Sequence, residues 1–282
     1  MTTTQAEIAA GKRFAFGENW HDFVNLVDEA RIRAAVESLG NPLGTLDLTA
    51  RTFLDIGCGS GMFSLAASRL GARVQSFDFD EMSVTAAERL RERFAPEGDW
   101  TIEQGSVLDD RYMKGLGRFD IVYPWGVLHH TGAMWKAIEA ASRAVAPGGL
   151  LFLSIYNDQG RRSRMWLRVK RRYNRSGCVA RSLLIAGSVA YLSRGRVLSA
   201  VSRALARRRT PMPARPVRTR GMSARHDLVD WVGGYPFEVA KPEEVFAHVR
   251  RLGFELRYLK TCAGGIGCNE YVFQHDPDAA RC

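Results

Sequence analysis

The sequence predicts an α/β fold: a seven-strand, doubly wound, mostly parallel sheet with a C-terminal antiparallel hairpin, an N-terminal cap helix and a helical lid insert. Three observations predict it. From residue 51 to 156, apolar strand-like runs alternate with helix-period segments, as strands buried on both faces require. Residues 254–275 hold two further strand-like runs joined by the glycine-rich turn AGGIG, and so short a turn joins only antiparallel strands. Between these regions lie about seventy residues without strand pattern, too long for a structureless loop in a compact domain.

Each element follows in order. Residues 19–39 place Phe23, Leu26, Val27, Ala30 and Ala34 at spacings of three and four, an amphipathic helix stopped by Gly40, Asn41 and Pro42. RTFLDI (51–56) is a strand, MFSLAASRL (62–70) a helix, ARVQSFDF (72–79) a strand, and Glu81–Phe94 a helix halted before Pro96. WTIEQ (100–104) and FDIVYPW (119–125) are strands. Ala133–Val145 is a helix closed by Pro147 and two glycines, and LLFLSIY (150–156) is a buried strand. The segment 157–226 reads as helical, with TPMPARP (210–216) as a loop signal. The helix 241–253, with Pro242 at its start and Gly253 at its end, precedes the strands 254–262 and 269–275.

Composition sets the class. Of 282 residues, 46% are hydrophobic and 25% charged, an ordinary globular balance. The N-terminus has no apolar core of signal-peptide length. The longest apolar stretch, Ser182–Ser193, falls well short of the ~20 residues a membrane span needs, so it is expected as a buried or interfacial helix. A cytoplasmic protein without a stable membrane span is expected. The five cysteines, Cys58, Cys178, Cys262, Cys268 and Cys282, form no CxxC pair, and free thiols with no metal site are expected. The net charge of +10 is uneven: residues 159–226 hold 19 of the 40 Lys and Arg and none of the 30 Asp and Glu. An acidic body carries one strongly basic segment.

The chemistry begins at LDIGCGSG (54–61). A buried strand runs into Gly57, Cys58, Gly59 and Gly61, and a helix follows. Glycines at alternate positions permit a sharp turn against which a ligand can press, and the helix beyond offers unpaired N–H groups. The spacing is GxGxG rather than the GxGxxG of dinucleotide binders. Asp55, just before the turn, would repel a pyrophosphate and suits a ligand with a positive charge, such as an amino acid's ammonium. Asp78 ends the second strand, where an acid accepts hydrogen bonds from ribose hydroxyls. Phe79 follows, suited to lie against an adenine or simply to pack in the core.

Taken with QGSVLDD (104–110), FDIVYPWGVLHH (119–130) and PGGLLFLSIY (147–156), these motifs resemble the successive motifs of class I, Rossmann-like S-adenosylmethionine (SAM)-dependent methyltransferases, most closely the small-molecule branch that includes ubiquinone-biosynthesis O-methyltransferases. The resemblance implies SAM as cofactor. It places Asp55 and Gly57 at the methionine part, Asp78 at the ribose, Ser106 and Val107 at the adenine edge, and Tyr123 to Trp125 beneath the sulfonium. Many relatives carry Asp where this chain has Ser106, a weaker partner for the adenine amino group. Tyr123-Pro124-Trp125-Gly126 stands where amide and base methylases carry (N/D)PPY, which argues against those substrates. The implied division is 1–45 cap helices, 46–156 cofactor core, 157–240 basic lid and substrate loop, and 241–282 the terminal helix and hairpin.

His129 and His130 are read as opening the helix after the fourth strand, at the sheet edge where open α/β sheets bind ligands. Either could act as general base toward a hydroxyl, or pack structurally. His226, Asp227, Asp230, Trp231 and Tyr235 form a polar and aromatic cluster after the basic insert. That cluster is either a substrate loop with a second candidate base or a structural return to the core. Trp20 in the N-terminal helix and Tyr156 at a strand end complete the substrate candidates. The expected activity is methylation of a small acceptor, hydroxyl first, with anionic or lipid-like molecules among the candidates. The alternatives are an RNA methyltransferase gripping RNA through the insert, where Trp166 and Tyr173 interleave with arginine, and a SAM-binding protein without catalysis.

Overall fold

A computed structural model describes residues 3–205, 220–221 and 224–276. The loop signal at 210–216 and Cys282 lie outside them. The elements in chain order are α1 (Thr3–Ala9), α2 (Phe16–Val24), α3 (Glu29–Leu43), β1 (Thr52–Ile56), α4 (Met62–Arg69), β2 (Arg73–Asp78), α5 (Glu81–Phe94), β3 (Trp100–Gln104), α6 (Asp110–Gly115), β4 (Phe119–Tyr123), a 3₁₀ turn (Leu128–His130), α7 (Met134–Arg143) and β5 (Val145–Tyr156). The insert supplies α8 (Arg161–Asn174), α9 (Cys178–Leu205) and α10 (Ala224–Gly233), and α11 (Pro242–Arg251), β6 (Phe254–Lys260) and β7 (Cys268–His275) end the fold.

The strands form one sheet in the order β3-β2-β1-β4-β5-β7-β6. β1 to β5 pair in parallel, and β7 pairs antiparallel with both β5 and β6. Strand period two sends neighbours to opposite faces. Phe53, Ile121, Phe152 and Val272 enter one core with α3, α4 and α5, while Leu54, Val122, Leu151 and Phe273 enter the other with α7 and α11. The order reverses between β1 and β4, and the C-terminal strand ends at that reversal open a crevice.

Several local features depart from sequence expectation. The single N-terminal helix is two, because Asp28 caps α3 by accepting a hydrogen bond from the Arg31 N–H at 2.8 Å. α3 runs through Gly40 and Pro42 and stops at Gly44, whose φ is 71°. His129 and His130 sit in the 3₁₀ turn rather than opening a helix, and α7 begins only after Gly132. The apolar stretch Ser182–Ser193 lies within α9. It is only partly covered: Leu184 and Ile185 pack inward while Leu183 stays 69% exposed.

Gly61 lies behind the ligand crevice and serves packing. Its φ is 76°, and a Cβ there would stand 2.9 Å from the Ala87 Cβ and from the Trp100 ring. Left-handed backbone costs an ordinary residue ~1–2 kcal/mol, and overpacking adds ~1–3 kcal/mol. Gly61→Ala should therefore lower the stability read from urea denaturation by about 3 kcal/mol. A midpoint unchanged from wild type would contradict this packing account.

Candidate active site

The crevice is a cavity of about 850 Å³ running from the glycine loop to an aromatic chamber. Its cofactor end is built by short hydrogen bonds. Gly57 N–H donates to the Phe77 carbonyl at 2.8 Å. Asp78 Oδ2 accepts from Gly59 N–H at 2.9 Å, and its Oδ1 accepts from Asp80 N–H at 2.9 Å. The acid at the end of β2 thus fixes the loop and faces the cavity. Asp55 Oδ2 accepts from Ser64 Oγ at 2.6 Å. Gly57 and Gly59 both have positive φ, and a Cβ on Gly59 would press on the Trp20 indole at 2.9 Å.

Cys58, Phe79, Ser106, Val107 and Trp125 line this end, with Asp55, Gly57, Gly59, Asp78 and Trp20. The Ser106 hydroxyl accepts from Leu108 N–H at 3.2 Å. Gly61 does not line the cavity. The N-terminal segment roofs it: Thr4 Oγ1 donates to the Phe79 carbonyl at 3.2 Å, Gly17 N–H donates to Asp80 at 2.9 Å, and the Arg13 guanidinium lies 4.6 Å over the Phe79 ring.

The chamber end gathers His129, His130, Tyr156, Asp227 and Trp231. His129 and Tyr156 rings are 4.0 Å apart, and Tyr156 meets Trp231 edge-on at 5.1 Å. His130 Nδ1 lies 2.6 Å from the Pro236 carbonyl. A carbonyl only accepts, so Nδ1 carries the hydrogen and Nε2 keeps its lone pair. Burial pushes His130 down to about 3 and His129 well below its ordinary value, the neighbouring cations acting in the same direction. Both imidazoles are neutral at physiological pH. Lys170, fully buried, donates to the Trp231 carbonyl and lies 4.8 Å from the Trp231 ring and 4.7 Å from that of Phe237. It braces the chamber wall from behind.

His226 and Tyr235 stand apart from the cavity. The His226 ring packs on Phe23 at 5.7 Å and its carbonyl accepts from Asn19, so it joins α10 to α2. The Tyr235 carbonyl accepts from Phe14 N–H at 2.9 Å. Trp166 and Tyr173 are 2% and 7% exposed, so neither offers a ring face for base stacking. Lining residues that sequence reasoning missed include Arg13, Phe63, Arg220 and Cys268; only tertiary packing brings them there.

This arrangement is that of a class I SAM-dependent methyltransferase, and the chain belongs to the methyltransferase-domain family, whose model matches residues 27–185. Among curated relatives, the ubiquinone biosynthesis O-methyltransferase of Methylobacterium sp. (strain 4-46) is 34% identical over 117 residues, covering 42% of this chain and 45% of that protein. The protein of the same name from Xanthomonas oryzae pv. oryzae (strain PXO99A) is 33% identical over 112 residues, covering 40% and 46%. The chain spans about half the length of the curated relatives it matches. An O-methyltransferase family protein from Burkholderia thailandensis shares the fold at a TM-score of 0.50 and 16% identity, covering 87% of this chain and 58% of that one.

The residues fit the family's cofactor, SAM. The loop glycines leave room where a Cβ would collide, a carboxylate faces the cavity at the end of β2, and the indole N–H groups of Trp125 and Trp231 are buried without partners. Burial pushes Asp55 up to about 7 and Asp78 up to about 6. Both carboxylates must be charged to hold an ammonium and ribose hydroxyls strongly. Protonation removes that charge as pH falls through these values. The dissociation constant for S-adenosylhomocysteine, measured by calorimetry, should therefore rise as pH falls, about tenfold per unit between pH 7 and 6 and more steeply below pH 6, where both groups take up a proton. A flat profile from pH 8 to 5 would contradict the assignment.

Proposed function

We propose that this protein transfers the SAM methyl group to a hydroxyl of a small-molecule acceptor, releasing S-adenosylhomocysteine. One observation carries the reading: the cofactor end opens directly into a chamber where His130 presents an unprotonated Nε2 among aromatic rings. Bound SAM supplies an activated methyl on a sulfonium. Asp55 and Asp78 hold the two ends of the cofactor site, and the Trp125 segment lies at the junction with the chamber. The chamber orients the acceptor in line, which is the larger share of catalysis for so reactive a donor. His130 Nε2 takes the hydroxyl proton as the acceptor oxygen becomes the nucleophile. Its low proton affinity makes that help modest.

Among the described residues no helix is long and apolar enough to cross a membrane. Cys58, Cys178, Cys262 and Cys268 are free thiols, which supports a reducing, cytoplasmic setting. Burial of Trp166 and Tyr173 weakens the RNA reading, because neither ring is left open to stack on a base. The test is incubation with methyl-labelled SAM and host extract, followed by separation of small molecules, lipids, RNA and protein. Label in the small-molecule or lipid pool, stable to mild base as an ether is, supports the reading. Label in RNA or protein, or base-labile label, overturns it.

A further inference from the structure

Among the described residues of the insert, one cation enters the cofactor cavity. Arg220 lines it at the end of Asp55, with its guanidinium 3.2 Å from the Trp125 ring centroid and 4.2 Å from that of Phe63. Its Nη2 donates to the Tyr123 hydroxyl at 3.0 Å. Among the described residues no salt bridge joins Arg220 to an acid, although its charge is near enough to favour the ionised form of Asp55. The backbone is anchored next door. Gly221 has φ 72°, its carbonyl accepts from Arg31 at 2.7 Å, and a Cβ there would strike the Arg31 carbonyl at 2.4 Å. The guanidinium is therefore stacked, held and left with donors to spare.

An unpaired cation beside a buried acid is the complement of a zwitterion. An α-amino acid carries its ammonium and its carboxylate on one carbon, so neighbouring Asp55 and Arg220 match both charges at once. Resting on the reading that SAM is the cofactor, we propose that Arg220 binds the α-carboxylate of the cofactor's methionine part, which makes the basic insert a component of the cofactor site. A planar guanidinium grips a carboxylate through paired, charge-assisted hydrogen bonds.

Two ligands separate this contact from general damage. S-adenosylhomocysteine carries the α-carboxylate, whereas 5′-methylthioadenosine ends in an uncharged thioether. Calorimetry on the full chain should find that Arg220→Met weakens S-adenosylhomocysteine about 30-fold, the loss of one charged contact, and methylthioadenosine less than threefold. Arg220→Lys should recover part of the loss, since it restores charge without the planar fork. Equal weakening of both ligands, or no weakening of either, would overturn the proposal. Failure of the wild-type protein to bind S-adenosylhomocysteine would instead sink the cofactor reading itself.

Discussion

Replacing Asp78 by asparagine should weaken S-adenosylhomocysteine binding about a thousandfold. The carboxylate stands at the end of β2, tied to Gly59 N–H at 2.9 Å and Asp80 N–H at 2.9 Å. Hydrogen bonds to a charged acceptor are worth ~1.5–3 kcal/mol each, so losing that strength at two ribose hydroxyls removes about 4 kcal/mol. The amide also turns two of its hydrogens toward positions that the loop and ligand fill with donors. Calorimetry reads the loss, and an urea midpoint close to wild type certifies that the sheet is intact. A dissociation constant within tenfold of wild type would remove Asp78 from the site.

The second large effect concerns the chamber. His130→Gln should reduce kcat about 100-fold, the low end of general-base contributions, with S-adenosylhomocysteine affinity unchanged within threefold. Glutamine can still donate to the Pro236 carbonyl, so the local fold is kept while the basic nitrogen is lost. Because burial holds His130 at about 3, the imidazole is neutral across the assay range. At saturating cofactor and acceptor, wild-type kcat should show no inflection near the ordinary histidine pKa. A kcat for the variant equal to wild type would assign proton removal to solvent or to the acceptor's own ionisation. His129, fully buried with its ring 4.0 Å from that of Tyr156, is the natural comparison.

Sequence periodicity and punctuation made the sheet legible. Continuous apolar runs, the glycine loop and the AGGIG turn are local signals, and each strand forms where its run lies, although β5 starts early, at Val145, through the Pro-Gly-Gly read as closing the preceding helix. The cofactor end was legible for the same reason, since the loop and the acid at the end of β2 are fixed by consecutive backbone geometry. The chamber was harder to read. Trp166, Lys170 and Tyr173 repeat at helical spacing within an arginine-rich run, and that period marks a face turned inward. Counting charge alone hid it. Arg13 and Arg220 carry no local signal, because tertiary packing alone decides that they face the cavity. The break at Asp28 was a capping signal inside an otherwise continuous apolar pattern. His226 showed the opposite failing: a polar, aromatic neighbourhood in sequence became a helix contact in space, with its ring on Phe23.

The roof over the cavity comes from two stretches far apart in the chain, and they are fastened to each other. Asn19 donates to Asp230 at 2.8 Å, Asn174 donates to the Gly233 carbonyl at 2.7 Å, and Phe14 donates to the Tyr235 carbonyl at 2.9 Å. Phe14, Tyr173 and Val232 share a small apolar cluster of their own. The two stretches make one piece, because parting them would break that cluster as well as its contacts with the sheet. Loosening one stretch therefore loosens the other, so the two halves of the roof hold or fail together.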